Sequence, residues 1–242
     1  MKYRLKALGW HFCASIGLLL LMVGTLYLGW YRWPGWYLAG MLTVLPITVG
    51  VDAALGPLLT FIIASPSKPL GELARDISFI ALMQLTALLY GGITLWHGRP
   101  LYYAYSGNEL SVVQGTDLDT AEIALGRKKN PELAPYWYSV PRWIYAPSLA
   151  ANTVEGADAT SKPRYFQPWA NGLPDLRSKL KPVDEWRYFS MTQRNVLKKR
   201  LAEQGFGADY AATMPMTGRD VPILAVFDSK TLEIKALLGA KP

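Results

Sequence analysis

Residues 7–31 carry no Asp, Glu, Lys or Arg, and a helix of those 25 residues would reach about 37 Å, more than the roughly 30 Å hydrocarbon core of a bilayer. A run of this kind rules out most soluble folds. Lys2, Arg4 and Lys6 precede it, as basic residues precede the apolar region of a signal peptide. The stretch is too long for one, however, and no small-x-small cleavage site follows, so it reads as an uncleaved anchor. Between 33 and 65 the one charged residue is Asp52. Trp33-Pro34-Gly35-Trp36 reads as an interfacial turn, which leaves a second span at about 37–64, bent by Pro46 and Pro57. A third charge-free run, 77–96, is about 30 Å of helix. Five of the nine Trp (Trp10, Trp30, Trp33, Trp36 and Trp96) fall at span ends, where amphipathic rings sit at headgroup level.

The mean hydropathy of +0.12 conceals a division in the chain. Residues 1–97 hold six Lys/Arg and three Asp/Glu, and 98–242 hold the other 19 and 15. The chain therefore divides into a transmembrane region, 1–97, and an ordinary water-soluble domain, 98–242, large enough to bury its own core. The excess of positive charge is shared by both parts, which gives nucleic-acid binding little support. A single Cys, Cys13, excludes an intrachain disulfide framework and a multi-Cys zinc site, and His11 and His97 are too few for a His-built metal centre. No cofactor and no metal are expected.

Lys/Arg in the short connections set the expected orientation. The N-terminus has three, the 65–76 loop has Lys68 and Arg75, and the 32–36 turn has Arg32 alone. The positive-inside rule places the N-terminus and the 65–76 loop in the cytoplasm, and three spans then export everything after Trp96.

The exported half reads as α+β with a mainly antiparallel sheet. Arg99-Pro100 marks the junction, and an aromatic strand at 101–105 turns at Ser106-Gly107-Asn108 and returns at 110–113. A short helix capped by Asp117 or Asp119 is expected over 119–129, and a strand at 143–146 within a proline-rich stretch from 130 to 175. The spacing of Trp186, Phe189, Leu197 and Leu201 predicts a helix over 184–204, interrupted on its apolar side by Gln193. The opposite side is basic, a solvated face with cations near the C-terminus. Runs 221–227 and 232–238 around Asp228-Ser-Lys-Thr231 read as a hairpin, with a third strand at 214–216.

Motifs that carry chemistry are missing: there is no GxGxxG, P-loop, GxSxG, HExxH or CxxC. Ser65-Pro-Ser-Lys68 matches the S-x-x-K pattern of Ser/Lys acylases, but Pro66 and Pro69 frustrate the helical turn that would present both side chains together. A polar loop is the better reading, and no enzyme is expected.

The unusual residues lie in the membrane. Asp52 sits near mid-span, where an acid costs about 2.5–3.5 kcal/mol on insertion scales. Gly50, Ala54 and Gly56 surround it with small residues, next to Pro57. Gly50-x-x-x-Ala54 is a spacing that lets another helix approach closely. If spans two and three are antiparallel, counting from their shared end brings Asp52 level with residue 89. That puts Thr86 and Tyr90 within reach of the carboxyl and Gln84 nearer Pro57. The site is then an acid satisfied inside a three-helix bundle, a polar contact for a partner's helix, or, least supported, a proton-transfer group.

Val51-Asp-Ala-Ala-Leu-Gly-Pro-Leu-Leu-Thr60 resembles the hallmark of the type IV pilin accessory proteins, the TfpX/TfpZ family. The resemblance continues through Arg75-Asp-Ile-Ser-Phe-Ile-Ala-Leu-Met-Gln-Leu-Thr-Ala-Leu-Leu-Tyr-Gly91, Arg99-Pro100-Leu-Tyr-Tyr and Glu109-Leu-Ser-Val-Val113. It is dense over roughly 40–113 and thinner beyond, resting there on Pro163-Arg-Tyr165 and the terminal Pro-x-x-Gly-Arg hairpin. The resemblance implies an inner-membrane protein of a Gram-negative bacterium that helps a cognate type IV pilin reach the surface as a fibre, without catalysis. Its implied partner is the pilin, which waits in the membrane by one N-terminal hydrophobic helix. Pilus assembly platform or motor proteins are the alternative partners, and membrane lipid surrounds the spans. The divergent 114–162 stretch is where different members would suit different pilins.

Overall fold

A computed structural model describes residues 1–107, 109–147 and 159–241. The chain forms two compact units, one of 1–32 with 41–97, the other of 33–40 with 98–242. The expected boundary after residue 97 is therefore incomplete: the connection between the first two spans belongs to the second unit.

In the first unit, three helices are long and apolar enough to cross a membrane: Lys2–Gly29, Met41–Ile63 and Leu70–His97. The first is α1 (Lys2–Gly29). The second is composite, with α3 (Met41–Val49), a π-helical turn (Gly50–Leu55) and α4 (Gly56–Ile63). The prolines explain its irregularity. Pro57 has no N–H to give, and its ring crowds the carbonyl four residues back, so the preceding turn widens to i→i+5 bonding. Gly56 N–H bonds Val51 O across that turn. The third span, α5 (Leu70–His97), buries Leu73, Ile80, Gln84, Leu88, Gly91 and Leu95, a stripe at helical spacing. Its other faces are apolar and exposed, as for Phe79, Leu82 and Met83, which suits a lipid environment. At one end of the bundle Tyr31 Oη donates to Leu95 O (2.7 Å), and the Trp30 and Trp96 rings meet edge-on at 4.7 Å.

The second unit is built on a seven-stranded sheet of β1 (Pro100–Tyr105), β2 (Leu110–Gln114), β3 (Arg142–Tyr145), β4 (Gln167–Pro168), β5 (Thr213–Thr217), β6 (Ile223–Phe227) and β7 (Ile234–Gly239), in the order β4-β3-β1-β2-β5-β6-β7. The sheet is mixed, which corrects the antiparallel expectation. β1 pairs in parallel with β3, and β2 with β5, while the β1–β2, β3–β4, β5–β6 and β6–β7 pairs are antiparallel. The hairpins are local and legible, but the two parallel joins are long-range, and no turn signal announces them. Successive β1 side chains go to opposite faces: Tyr103 and Tyr105 join one core cluster, Tyr102 and Ala104 the other. Of the 106–108 turn, Asn108 lies outside the described residues, as does 148–158 of the 114–162 stretch.

One helical expectation holds and one changes. The 119–129 helix is α6 (Thr120–Lys129), with Asp119 accepting from the Ala121 N–H at 2.6 Å. The 184–204 helix is shorter: Val183–Glu185 is a 3-10 turn, the chain is extended at Trp186, and α8 spans Met191–Glu203. Ser190 and Gln193 form a capping box there, so Gln193 starts the helix instead of interrupting its face. Trp186, Phe189, Leu197 and Leu201 are nevertheless all buried in one core. α7 (Leu173–Lys179), which starts at the end of the proline-rich stretch, adds Leu176 to that core.

The segment 33–40 contains α2 (Gly35–Leu38) and is built into this second unit. Leu38 is fully buried, and its carbonyl accepts the Arg219 N–H at 2.7 Å. Gln114 Nε2 donates to Ala39 O (2.6 Å) and Trp33 Nε1 to Leu237 O (3.2 Å), while the Lys241 ammonium lies 4.9 Å from the Tyr37 ring centre. A Cβ on Gly218 would lie 2.4 Å from Leu38 O, so the β5–β6 turn needs glycine for this approach.

Candidate functional site

Within the bundle, α1, the second span and α5 bring five polar residues together. His11 and Ser15 are one turn apart on α1, Asp52 sits in the π turn, Thr60 is on α4 and Gln84 on α5. Gln84 organises them. Its Nε2 donates to Asp52 O at 3.0 Å and to Ser15 Oγ at 3.3 Å. A backbone carbonyl only accepts, so the amide nitrogen must face Asp52 and the amide oxygen must face His11. His11 Nε2 lies 2.5 Å from Gln84 Oε1 and therefore donates to it. In the neutral imidazole Nδ1 is then the acceptor, and Thr60 Oγ1, 2.5 Å away, donates to it. The orientation of one amide thus sets the tautomer of the histidine.

Asp52 is treated differently. It is only 3% exposed, and its Oδ2 has no hydrogen-bond partner among the described residues. An unsatisfied buried polar atom costs about 1–3 kcal/mol. Asp52 borders a cavity of about 430 Å³ in this unit, which His11, Ser15, Thr60 and Gln84 also line.

The residues singled out from the sequence separate into three groups. Asp52, Gly56, Pro57 and Gln84 meet: Gly56 and Pro57 are buried, and a Cβ on Gly56 would lie 2.0 Å from the Gln84 amide. Gly50 and Ala54 face outward, and nothing lies within 4 Å of a Cβ added at Gly50. Thr86 and Tyr90 do not reach Asp52. Thr86 is exposed and bonds Leu82 O on its own helix at 2.9 Å, and Tyr90 is exposed. The axial count is nearly right, because Gly56 lies against Gln84 and Gly91 against Thr48, which sets Leu88 opposite Asp52. The face is what differs: 84, 88, 91 and 95 turn inward, 86 and 90 outward. At the junction, Arg99 is buried and donates to Trp137 O at 3.4 Å, and Pro100 opens β1.

His11, Ser15 and Thr60 were not expected. The available signal was polar residues inside strongly apolar spans, two of them four apart on α1, so on one helix face. Of the S-x-x-K residues, Ser65 Oγ is 2.9 Å from Ser67 Oγ, and Lys68 pairs with Asp76.

Fold and site define a protein with three helices long and apolar enough to cross a membrane, a polar cluster among them, and a separate sheet-bearing unit. The chain is 25% identical over 231 residues to the fimbrial assembly protein of serogroup I of Dichelobacter nodosus, covering 92% of this chain and 90% of that protein. The figures for the serogroup E1 protein of the same organism are the same. Against the fimbrial assembly protein of serogroups C1 and C2, identity is 30% over 118 residues, 49% of this chain and 90% of that relative. The chain belongs to the family of these fimbrial assembly proteins. No family model and no solved structure matches it.

Proposed function

We propose that this protein is a non-enzymatic accessory factor of the bacterial inner membrane that assists assembly or surface presentation of a cognate type IV pilin. The observation that carries the reading is the 231-residue likeness to fimbrial assembly proteins, which runs through the membrane spans and the sheet-bearing unit alike. In this reading the bundle packs against the hydrophobic helix by which the pilin waits in the membrane, and the periplasmic unit meets the pilin head. The open Gly50-x-x-x-Ala54 face supports it, because small residues let a second helix come close without displacing anything in this chain. The absence of catalysis rests on the lack of recognisable chemical motifs in the sequence and on the separate partners of Ser65 and Lys68.

The test is crosslinking in native membranes followed by affinity capture of the full chain. Pilin is the expected major adduct. Motor or platform proteins as the major adducts would replace this reading with regulation of the assembly machinery.

A further inference from the structure

The cavity beside Asp52 is not a sealed void. Trp10, Leu18 and Leu85 line it and are 79%, 51% and 45% exposed, so its mouth lies on the outer, lipid-facing surface of the bundle, with Ala14 and Ala81 also in its wall. About 430 Å³ is within the size range of ligand sites, and the wall is mostly apolar. Asp52 is also in the lining, and while hydrogen bonds hold His11, Ser15, Thr60 and Gln84 to one another, the Asp52 carboxyl takes no part in them.

We propose that this cavity is a receptor for a hydrogen-bond donor, an N–H or O–H group, carried into the membrane on the helix of a partner protein, with the Asp52 carboxyl as its acceptor. The inference rests on the functional reading above, under which that helix belongs to the pilin. A lipid acyl chain would fill the apolar mouth but would leave the Asp52 carboxyl unpaired. A donor on a peptide helix fills the space and satisfies the carboxyl. Complementarity also favours a donor, since Asp52 is the one acidic side chain of the second span and no group among the described residues donates to its carboxyl. Small side chains at Ala14 and Ala81 give such a helix room to approach.

The test uses the full chain in native membranes with the photoreactive amino acid benzoylphenylalanine in place of Leu18, at the cavity mouth, or of Tyr138, on the exposed surface of the second unit. Pilin adducts are identified by mass and quantified at equal protein abundance. The expected result is pilin captured from Leu18, with Asp52→Asn within twofold of the parent because its amide oxygen still accepts. Asp52→Leu, which inserts more readily, should reduce the adduct at least fivefold, and so should Ala81→Trp, which fills the cavity without touching Asp52. Unchanged yield in Asp52→Leu overturns the proposal, as does equal loss in Asp52→Asn and Asp52→Leu, which would require a charge instead of an acceptor. Lipid adducts alone from Leu18, with pilin still captured from Tyr138, overturn the cavity assignment and leave the functional reading standing. Pilin captured from neither position overturns the functional reading itself.

Discussion

The Gln84 side chain lies directly over Gly56: a Cβ on residue 56 would sit 2.0 Å from both the carbon and the nitrogen of the Gln84 amide. The amide that must come this close is the one that bonds Asp52 O, Ser15 and His11. Gly56 is therefore the position at which a single methyl group disturbs the whole polar cluster.

Gly56→Ala should destabilise the bundle by about 1–3 kcal/mol, the usual cost of overpacking. Gly50→Ala should be close to neutral, because open space surrounds that position. Thermal unfolding of the two full-length variants in one detergent measures the contrast. Equal behaviour would mean that Gln84 does not hold the second span to α5.

Leu38 should prove as important to the second unit as any residue after 97. It is fully buried in that unit's core, so Leu38→Ala should cost about 2–5 kcal/mol. A 98–242 fragment, which lacks Tyr37 and Leu38, should aggregate or melt without a cooperative transition, against the expectation from composition alone. Calorimetry of the full-length variant and circular dichroism of the fragment test this. A sharp, reversible transition in the fragment would show that 33–40 is dispensable.

Acid should weaken the second unit through two carboxylates. The Lys230 and Thr231 backbone N–H groups, 2.8 and 2.9 Å from Asp228 Oδ1, hold the Asp228 carboxyl below the ordinary range. Burial raises the Asp220 carboxyl, but the Val221 N–H and the Lys241 ammonium outweigh it and leave it lowered. A carboxyl that is more acidic in the folded chain adds stability above its unfolded pKa of about 3.9 and loses it as the pH falls through the folded value. Stability should thus fall as the pH drops below about 4. Asp228→Asn with Asp220→Asn should flatten that limb in an acid-unfolding series. An unchanged slope would remove both groups from the account.

Alkaline phosphatase fused after residue 100 should be active, and fused within 66–74 inactive, since the basic N-terminus and the Lys68/Arg75 loop favour the cytoplasm. The opposite pattern would turn the sheet-bearing unit inward and away from pilin heads.

Ser65→Ala should leave surface piliation unchanged, because the hydroxyl bonds Ser67 while Lys68 is held by Asp76. Loss of pili at normal protein abundance, read by electron microscopy and immunoblot, would restore Ser/Lys chemistry as a candidate.

Sequence alone determined what depends on local composition. An apolar stretch with at most one charge, long enough to span a bilayer, favours helix, so three spans were readable from residue types, and Pro57 marked where the second would deform. Hairpins at 101–113 and 221–238 were readable for the same reason, since their turns are encoded by adjacent residues. Counting helical rise even placed Asp52 within one residue of its level on α5. Tertiary structure decided everything that depends on which face turns inward. In a span apolar on nearly every side, periodicity barely distinguishes Gln84 from Thr86 or Tyr90, and packing against Gly56 makes the choice. His11 joins the site through partners 49 and 73 residues away, a separation no local pattern carries. The same holds for the parallel β1–β3 and β2–β5 joins, and for Leu38, whose burial in the second unit's core is settled by contacts with residues far along the chain.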